Sequence, residues 1–277
     1  MKIDTSTASS REIQSILLGA VAPRPIAFAS TIDNDGNPNL SPFSFFNAFS
    51  SNPPILIFSP ARRGRDNTTK HTYDNVKQVP EVVINVVTYD IVQQMSLSSS
   101  DFPRGVNEFE KAGFTAIASE SVRPFRVKES PIQFECKVQQ VIELGDKGGA
   151  GNLIICHINI IHLNEKILNE DGSINYQKFQ VVGRMGGDDY IKANKESLFT
   201  IRKPISSVGI GIDALPQEIK TSIYLTGNEL AQLASVEKLP LVNHKRLISL
   251  SESHFAMASS MIANGEVLKA LNWLINK

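Results

Sequence analysis

"QFECKVQQVIELGDKGGAGNLIICHINIIHL" (Gln133–Leu163) decides how the chain folds. Apolar residues alternate on both sides of a central glycine-rich stretch. Phe134, Cys136, Val138, Ile142 and Leu144 are expected on one face of a first strand, and Ile154, Cys156, Ile158 and Ile160 on one face of a second. "GDKGGAG" between them is too short for a crossover helix, so it reads as a flexible hairpin joining antiparallel neighbours. His157 and His162 are five positions apart, an odd number, which in an unbroken strand puts them on opposite faces as surface histidines rather than paired metal ligands.

The same grammar extends towards the N-terminus. "PIAFASTI" (Pro25–Ile32) leads into the turn "DNDGNPN", followed by "LSPFSFFNAFS", "PILIFSP" and "EVVINVV" (Glu81–Val87). Helical spacing is rarer, in "REIQSILLGA", "TYDNVKQV" and "YDIVQQMSLSS". Many short strands with hairpin punctuation predict a mainly β protein, an antiparallel closed or sandwiched sheet with peripheral helices. Beyond residue 200 the style changes. "TGNELAQLASV" and "SHFAMASSMIANGEVLKALNWLINK" have helical spacing, with Leu268, Leu271 and Leu274 expected near one face. Residues 1–200 are therefore taken as the barrel or sandwich domain, and 201–277 as an extension of helices packed on it.

Of 277 residues, 42% are hydrophobic and 20% charged, with 28 basic balanced by 28 acidic side chains. That neutrality supplies no global field for nucleic acid or an anionic membrane. Two cysteines, both in alternating apolar runs, and an N-terminus without an apolar signal core point to a cytoplasmic protein without a disulfide framework. There is no G-x-G-x-x-G opening a helix, no G-x-x-x-x-G-K-[ST], no H-E-x-x-H and no G-x-S-x-G. Rossmann, P-loop, zinc-protease and α/β-hydrolase chemistry thus have no support.

Against the neutral background, "ARRGRDNTTKHTYDN" (Ala61–Asn75) concentrates Arg62, Arg63, Arg65, Lys70 and His71 among Thr68, Thr69 and Thr72. A charge run is usually a solvated loop. This one sits just ahead of an expected helix, so guanidinium, ammonium, hydroxyl and unpaired N–H donors would converge on an anion such as a phosphate monoester.

Four stretches, "APRPIAFASTIDNDGNPNLSPFSFFNAFSSNPPILIFSP", "KHTYDNV", "EVVINVV" and "PRGVNEFEKAGFT", together resemble the flavin reductase-like family over roughly residues 15–200. That family includes flavoredoxins and reductase components of two-component monooxygenases such as nitrilotriacetate monooxygenase component B. The resemblance implies an FMN-binding split β-barrel, Greek-key-like, working as a homodimer with flavin near the subunit interface. It implies NADH or NADPH as co-substrate and a flavin-dependent monooxygenase as a partner. The alternative is a flavoredoxin-like electron carrier without its own NAD(P)H turnover.

Carried onto this chain, the resemblance assigns Thr69, Lys70, Thr72 and Asn75 to the FMN phosphate, with His71 standing where an aspartate is usual. Ser44, Phe45, Phe46, Asn47 and Ala48 become ring contacts, although a phenylalanine-rich run is ordinarily core. Ser59 joins the cofactor set, and Arg24 and Pro25 mark the strand start near the flavin. Arg184, in "GRMGGDDY", is assigned to the phosphate or the partner subunit, and Arg104 and Phe109 to the neighbourhood of the nicotinamide. No catalytic side chain and no metal site are implied, because a flavin carries hydride transfer itself.

Overall fold

Strands form on both sides of the glycine-rich stretch, Ile132–Glu143 and Asn152–Leu163, and they pair antiparallel along their whole length. The computed structural model describes residues 1–201, 208–242 and 249–276. In chain order, helix α1 (Ser10–Ala20) is followed by strands β1 (Ala27–Ile32), β2 (Pro38–Phe43), β3 (Phe46–Ser51) and β4 (Pro54–Phe58). Helix α2 (His71–Gln78) leads to β5 (Glu81–Val86), then α3 (Val92–Ser98) and α4 (Glu108–Ala112). A small ribbon of β6 (Ala116–Ile117) and β7 (Arg126–Val127) precedes the long pair, now β8 and β9. Helix α5 (Tyr176–Phe179) and a ribbon of β10 (Val182–Arg184) and β11 (Tyr190–Lys192) follow.

Seven strands make one antiparallel sheet in the order β2-β1-β5-β8-β9-β4-β3. Its outer strands, β2 and β3, are separated in sequence only by Ser44 and Phe45. A flat sheet would hold them about 29 Å apart at roughly 4.8 Å per strand, whereas the three Cα steps from Phe43 to Phe46 reach about 11 Å at most. The sheet must therefore curl. The Phe43 and Phe58 ring centroids lie 5.6 Å apart, and the Ser59 N–H donates to the Phe45 carbonyl at 2.9 Å. The curl encloses a core of Ala27, Leu56, Phe58, Ile84, Ile154 and Cys156, with Val76 of α2. The other face of β1 carries Phe28 against Met95, Phe109 and Phe114 of the α3–α4 region. Burying each such phenylalanine is worth about 1.5–3 kcal/mol. With both faces covered, all six β1 residues are buried. The fold is thus a large antiparallel sheet with substantial helix around it, rather than a mainly β chain.

Two bulges revise the alternation expected for the long hairpin. Gln139 is skipped in the register between Val138 and Gln140, so the phase flips, and Val141 rather than Ile142 packs on the core. Ile142 and Leu144 are exposed. A second bulge skips Asn159, which puts His157 opposite Lys137 and His162 opposite Gln133. Both histidines consequently lie on the same face, not on opposite ones. Cys136 and Cys156 are free, and burial pushes both thiols up, keeping them protonated and unreactive.

The chain divides into two compact units, Met1–Leu198 and Phe199–Lys277. The second contains α6 (Gln217–Lys220), α7 (Gly227–Leu233), α8 (Glu252–Ala263) and α9 (Val267–Ile275). Thr226 and Glu229 form a reciprocal capping box at the start of α7. Leu233, Phe255, Ile262, Leu271 and Leu274 form a core within this unit. Leu268, expected on the same face, is 61% exposed, while Ala270 and Ile275 take its place. Among the described residues, no helix is long and apolar enough to cross a membrane.

Candidate functional site

The cationic loop between β4 and α2 rests on the β8–β9 connection. Arg62 N–H donates to the Ala150 carbonyl at 2.8 Å, Gly149 N–H to the Arg62 carbonyl at 3.0 Å, and the Asn67 amide to the Asp146 carbonyl at 2.9 Å. The "GDKGGAG" hairpin is thus hydrogen-bonded to the cationic loop. A Cβ at Gly148 would meet the Arg63 carbonyl at 3.0 Å and Gly64 Cα at 3.1 Å, backbone on both sides. Gly148→Val should therefore displace the loop and cost about 1–3 kcal/mol, read from the urea midpoint. An unchanged midpoint would show that the two segments do not depend on each other.

The expected hydroxyl donors are already committed within the protein. Thr68 donates to Asp66 at 2.6 Å, Thr69 to Asp74 at 2.7 Å, and Thr72 to the Asn39 side-chain oxygen at 2.7 Å. A hydroxyl has one hydrogen to give, so Thr69 and Thr72 do not act as free anion donors in this arrangement. Asn75, also assigned to the phosphate, is buried and donates to Thr31, tying α2 to β1.

The cations divide differently. Arg65 is ion-paired with Asp66 and Asp101, and Arg104 with Asp74. Arg65, then Arg63, hold the Asp101 carboxyl below its ordinary value. Lys70, by contrast, is half-buried and has no carboxylate within ion-pair distance among the described residues. Burial first, then Arg63, lowers its pKa. Burial, followed by Arg104 and Arg63, likewise lowers that of His71, favouring the neutral imidazole.

Lys70, His71, Thr72 and Arg63 line a pocket of about 20 Å³ with Ser41, Ser100 and Glu108. An open basin of about 420 Å³ adjoins it, sharing Arg63 and His71 and adding Arg65 and Arg104. A cavity of about 250 Å³ shares Ser99 with the small pocket and is lined by Arg24, Ser44, Met95, Arg184 and Tyr190. Residues Ser41 to Ser44 run from one to the other along the end of β2.

Arg24 is 4% exposed and works as a clamp. Its guanidinium donates to the carbonyls of Leu18, Val21 and Met185 and, at 3.3 Å, to Ser44 Oγ, while its backbone bridges Arg184. Arg184 stacks on the Tyr190 ring at 4.6 Å and bonds the Tyr190 hydroxyl and the Gly187 carbonyl. It borders the larger cavity, not the Lys70 pocket.

Other expectations fare differently. Pro25 is exposed just ahead of β1. Phe46 packs against the enclosed core, whereas Asn47 and Ala48 of the outer strand β3, and Phe45 just ahead of it, are exposed. Ser59 is buried, its hydroxyl accepting the Asn152 N–H at 3.0 Å. Phe109, assigned to the nicotinamide, is a core residue at 1% exposure. Sequence reasoning missed Ser41, Ser99, Ser100, Asn39, Glu108 and Tyr190, whose convergence depends on pairing across distant segments. Only Glu108, the first glutamate of "NEFEKAGF", a charge set beside apolar positions, carried a local signal.

Residues 19–179 match the flavin reductase like domain family. An uncharacterized protein of Aquifex aeolicus is 40% identical over 178 residues, covering 64% of this chain and 88% of its own. The crystal structure of nitrilotriacetate monooxygenase component B from Bacillus cereus is 27% identical, with a TM-score of 0.67 and coverage of 73% of this chain and 98% of its own. Flavoredoxin of Desulfovibrio vulgaris (Miyazaki F), 19% identical over 74% of this chain and 98% of its own, shares the fold at a TM-score of 0.56.

Proposed function

The chain belongs to the flavin reductase-like family, and from that premise we propose that it is an FMN-binding NAD(P)H:flavin oxidoreductase that supplies reduced flavin to a partner monooxygenase or other acceptor. The observation that carries this reading is Lys70, half-buried without an acidic partner beside Arg63. A half-buried ammonium that makes no direct ion pair among the described residues, with Asp101 and Glu108 on its pocket wall but beyond ion-pair distance, keeps hydrogen-bond donors that a bound anion can take up. The donor set fits a phosphate monoester: Lys70, Arg63, neutral His71 and the hydroxyls of Ser41 and Ser100. We place the flavin ring towards the cavity of Arg24, Ser44, Met95, Arg184 and Tyr190, reached along Ser41–Ser44.

Bound FMN would supply the chemistry, accepting a hydride from the nicotinamide and passing electrons on. The protein's own residues hold and orient. Lys70 and Arg63 fix one end of the ligand, and Arg24 keeps the Ser44 hydroxyl and the Met185 backbone in place at the other. We take residues 1–200 as the flavin-binding domain, its curled sheet as a split barrel, and residues 201–277 as a helical extension.

We further propose a homodimer in the cytoplasm. β3 exposes Phe49 at 63%, beside the exposed Asn47 and Ala48, and Phe45 just ahead of it is exposed at 39%. A second copy covering this strand would bury the aromatic rings and bring those two residues to the flavin. Sedimentation should give about twice the chain mass of 30.4 kDa. A monomer that retains tight FMN binding would remove this part of the proposal.

The deciding experiment is anaerobic addition of NADH or NADPH to protein with FMN, followed at the flavin's visible absorbance. Bleaching, reversed by oxygen, is expected. No bleaching by either nucleotide, in folded protein loaded with FMN, would leave an electron carrier without its own turnover.

A further inference from the structure

Behind Lys70, the carboxyl of Glu108 accepts the Asn39 amide at 2.9 Å and the Leu40 N–H at 3.0 Å. A carboxylate only accepts, so it orients the Asn39 amide with nitrogen towards Glu108 and oxygen away. That oxygen takes the hydroxyl hydrogen of Thr72 at 2.7 Å. Glu108, Asn39 and Thr72 are 4%, 7% and 1% exposed, and all three line the pocket that holds Lys70 and Arg63.

We propose that Glu108 is a positioning residue that sets the hydrogen-bond polarity of this pocket. Through Asn39 it keeps the single Thr72 hydrogen from the ligand, and it adds a negative charge at the pocket wall. Both effects hold phosphate affinity down, as a flavin that exchanges between proteins requires. The inference rests on the FMN-phosphate reading of the pocket.

Glu108→Gln reverses the relay. The glutamine oxygen must still accept Leu40 N–H, so its nitrogen donates to Asn39. Asn39 then turns its own nitrogen to Thr72, and the Thr72 hydrogen is released towards the anion. FMN and riboflavin affinities by fluorescence titration, with FMN dissociation by stopped flow, should be measured for Lys70→Ala, Thr72→Val, Glu108→Gln and the Glu108→Gln/Thr72→Val double variant.

Glu108→Gln should tighten FMN about tenfold, mostly through slower dissociation, with riboflavin unchanged. Thr72→Val should leave FMN affinity within about twofold in the natural background, yet weaken it at least about threefold in the Gln background. A merely structural role for Glu108 would not produce that non-additivity. Equal effects of Thr72→Val in both backgrounds would overturn the relay. If Glu108→Gln fails to fold, Thr72→Val alone decides, since a loss of about tenfold would show Thr72 already donating. Lys70→Ala with FMN affinity intact would instead remove the phosphate reading, and this proposal with it.

Discussion

Lys70→Ala should weaken FMN binding by about 1–3 kcal/mol, roughly fivefold to 150-fold, and leave riboflavin affinity almost unchanged. The two ligands differ by one phosphate, so the difference between their losses isolates the contact. Arg63 is already engaged with Asp101, Thr68 and the Thr69 carbonyl, whereas Lys70, in the same pocket, makes no ion pair among the described residues. The pH dependence follows from its environment. Burial and Arg63 lower the Lys70 pKa in the free protein, so its positive charge is lost at a lower pH than for an exposed lysine. FMN affinity should therefore begin to fall on the alkaline side earlier than an ordinary lysine would dictate. Lys70→Arg should flatten that limb, because a guanidinium stays charged. Equal losses of FMN and riboflavin in folded Lys70→Ala would refute the phosphate contact.

The second large effect concerns stability, at Glu135 on β8. Its side chain is fully buried and accepts Glu120 N–H at 2.9 Å, Ser121 N–H at 2.6 Å, the Ser121 hydroxyl at 2.8 Å and His162 Nε2 at 2.7 Å, with Arg126 3.6 Å away. Glu135→Ala strands these donors around an apolar gap and should cost about 3–5 kcal/mol, measured by urea unfolding. A loss below about 1 kcal/mol would mean the cluster relaxes onto water or other partners. Burial alone would push the Glu135 carboxyl up, but the Glu120 and Ser121 donors and His162 outweigh it and hold it below the ordinary glutamate value. A carboxyl depressed by folding contributes stability that is fully present above its unfolded pKa and is lost as pH falls through the folded value. The gap between natural protein and Glu135→Ala should accordingly narrow in acid, below the ordinary glutamate range.

Much of this was legible from the sequence. Period-two alternation around "GDKGGAG" identified the long antiparallel pair, and the concentration of Arg62, Arg63, Arg65 and Lys70 marked the loop that we propose binds the phosphate. Both signals are local, written in residues that neighbour one another along the chain. The motifs from Ala22 to Thr115 pointed to the family for a related reason, since each is a short stretch whose residue types survive being read without coordinates.

What the tertiary structure decided is where each hydrogen bond goes. The bulges at Gln139 and Asn159 invert faces that strict alternation assigns, and only pairing with the opposite strand determines where the extra residue sits. Thr69 and Thr72 look like phosphate donors until Asp74 and Asn39 are seen to take their hydrogens. Arg24 borders the cavity proposed for the ring, yet its guanidinium is already engaged by three backbone carbonyls, which no local reading of "PRP" foresees. Glu108 lies 36 positions after Thr72 in the chain, yet it sets that hydroxyl's direction through a residue on a third segment. A donor has one hydrogen and a carboxylate has none, so polarity in a buried network is a property of the whole set of partners, which only the folded chain assembles.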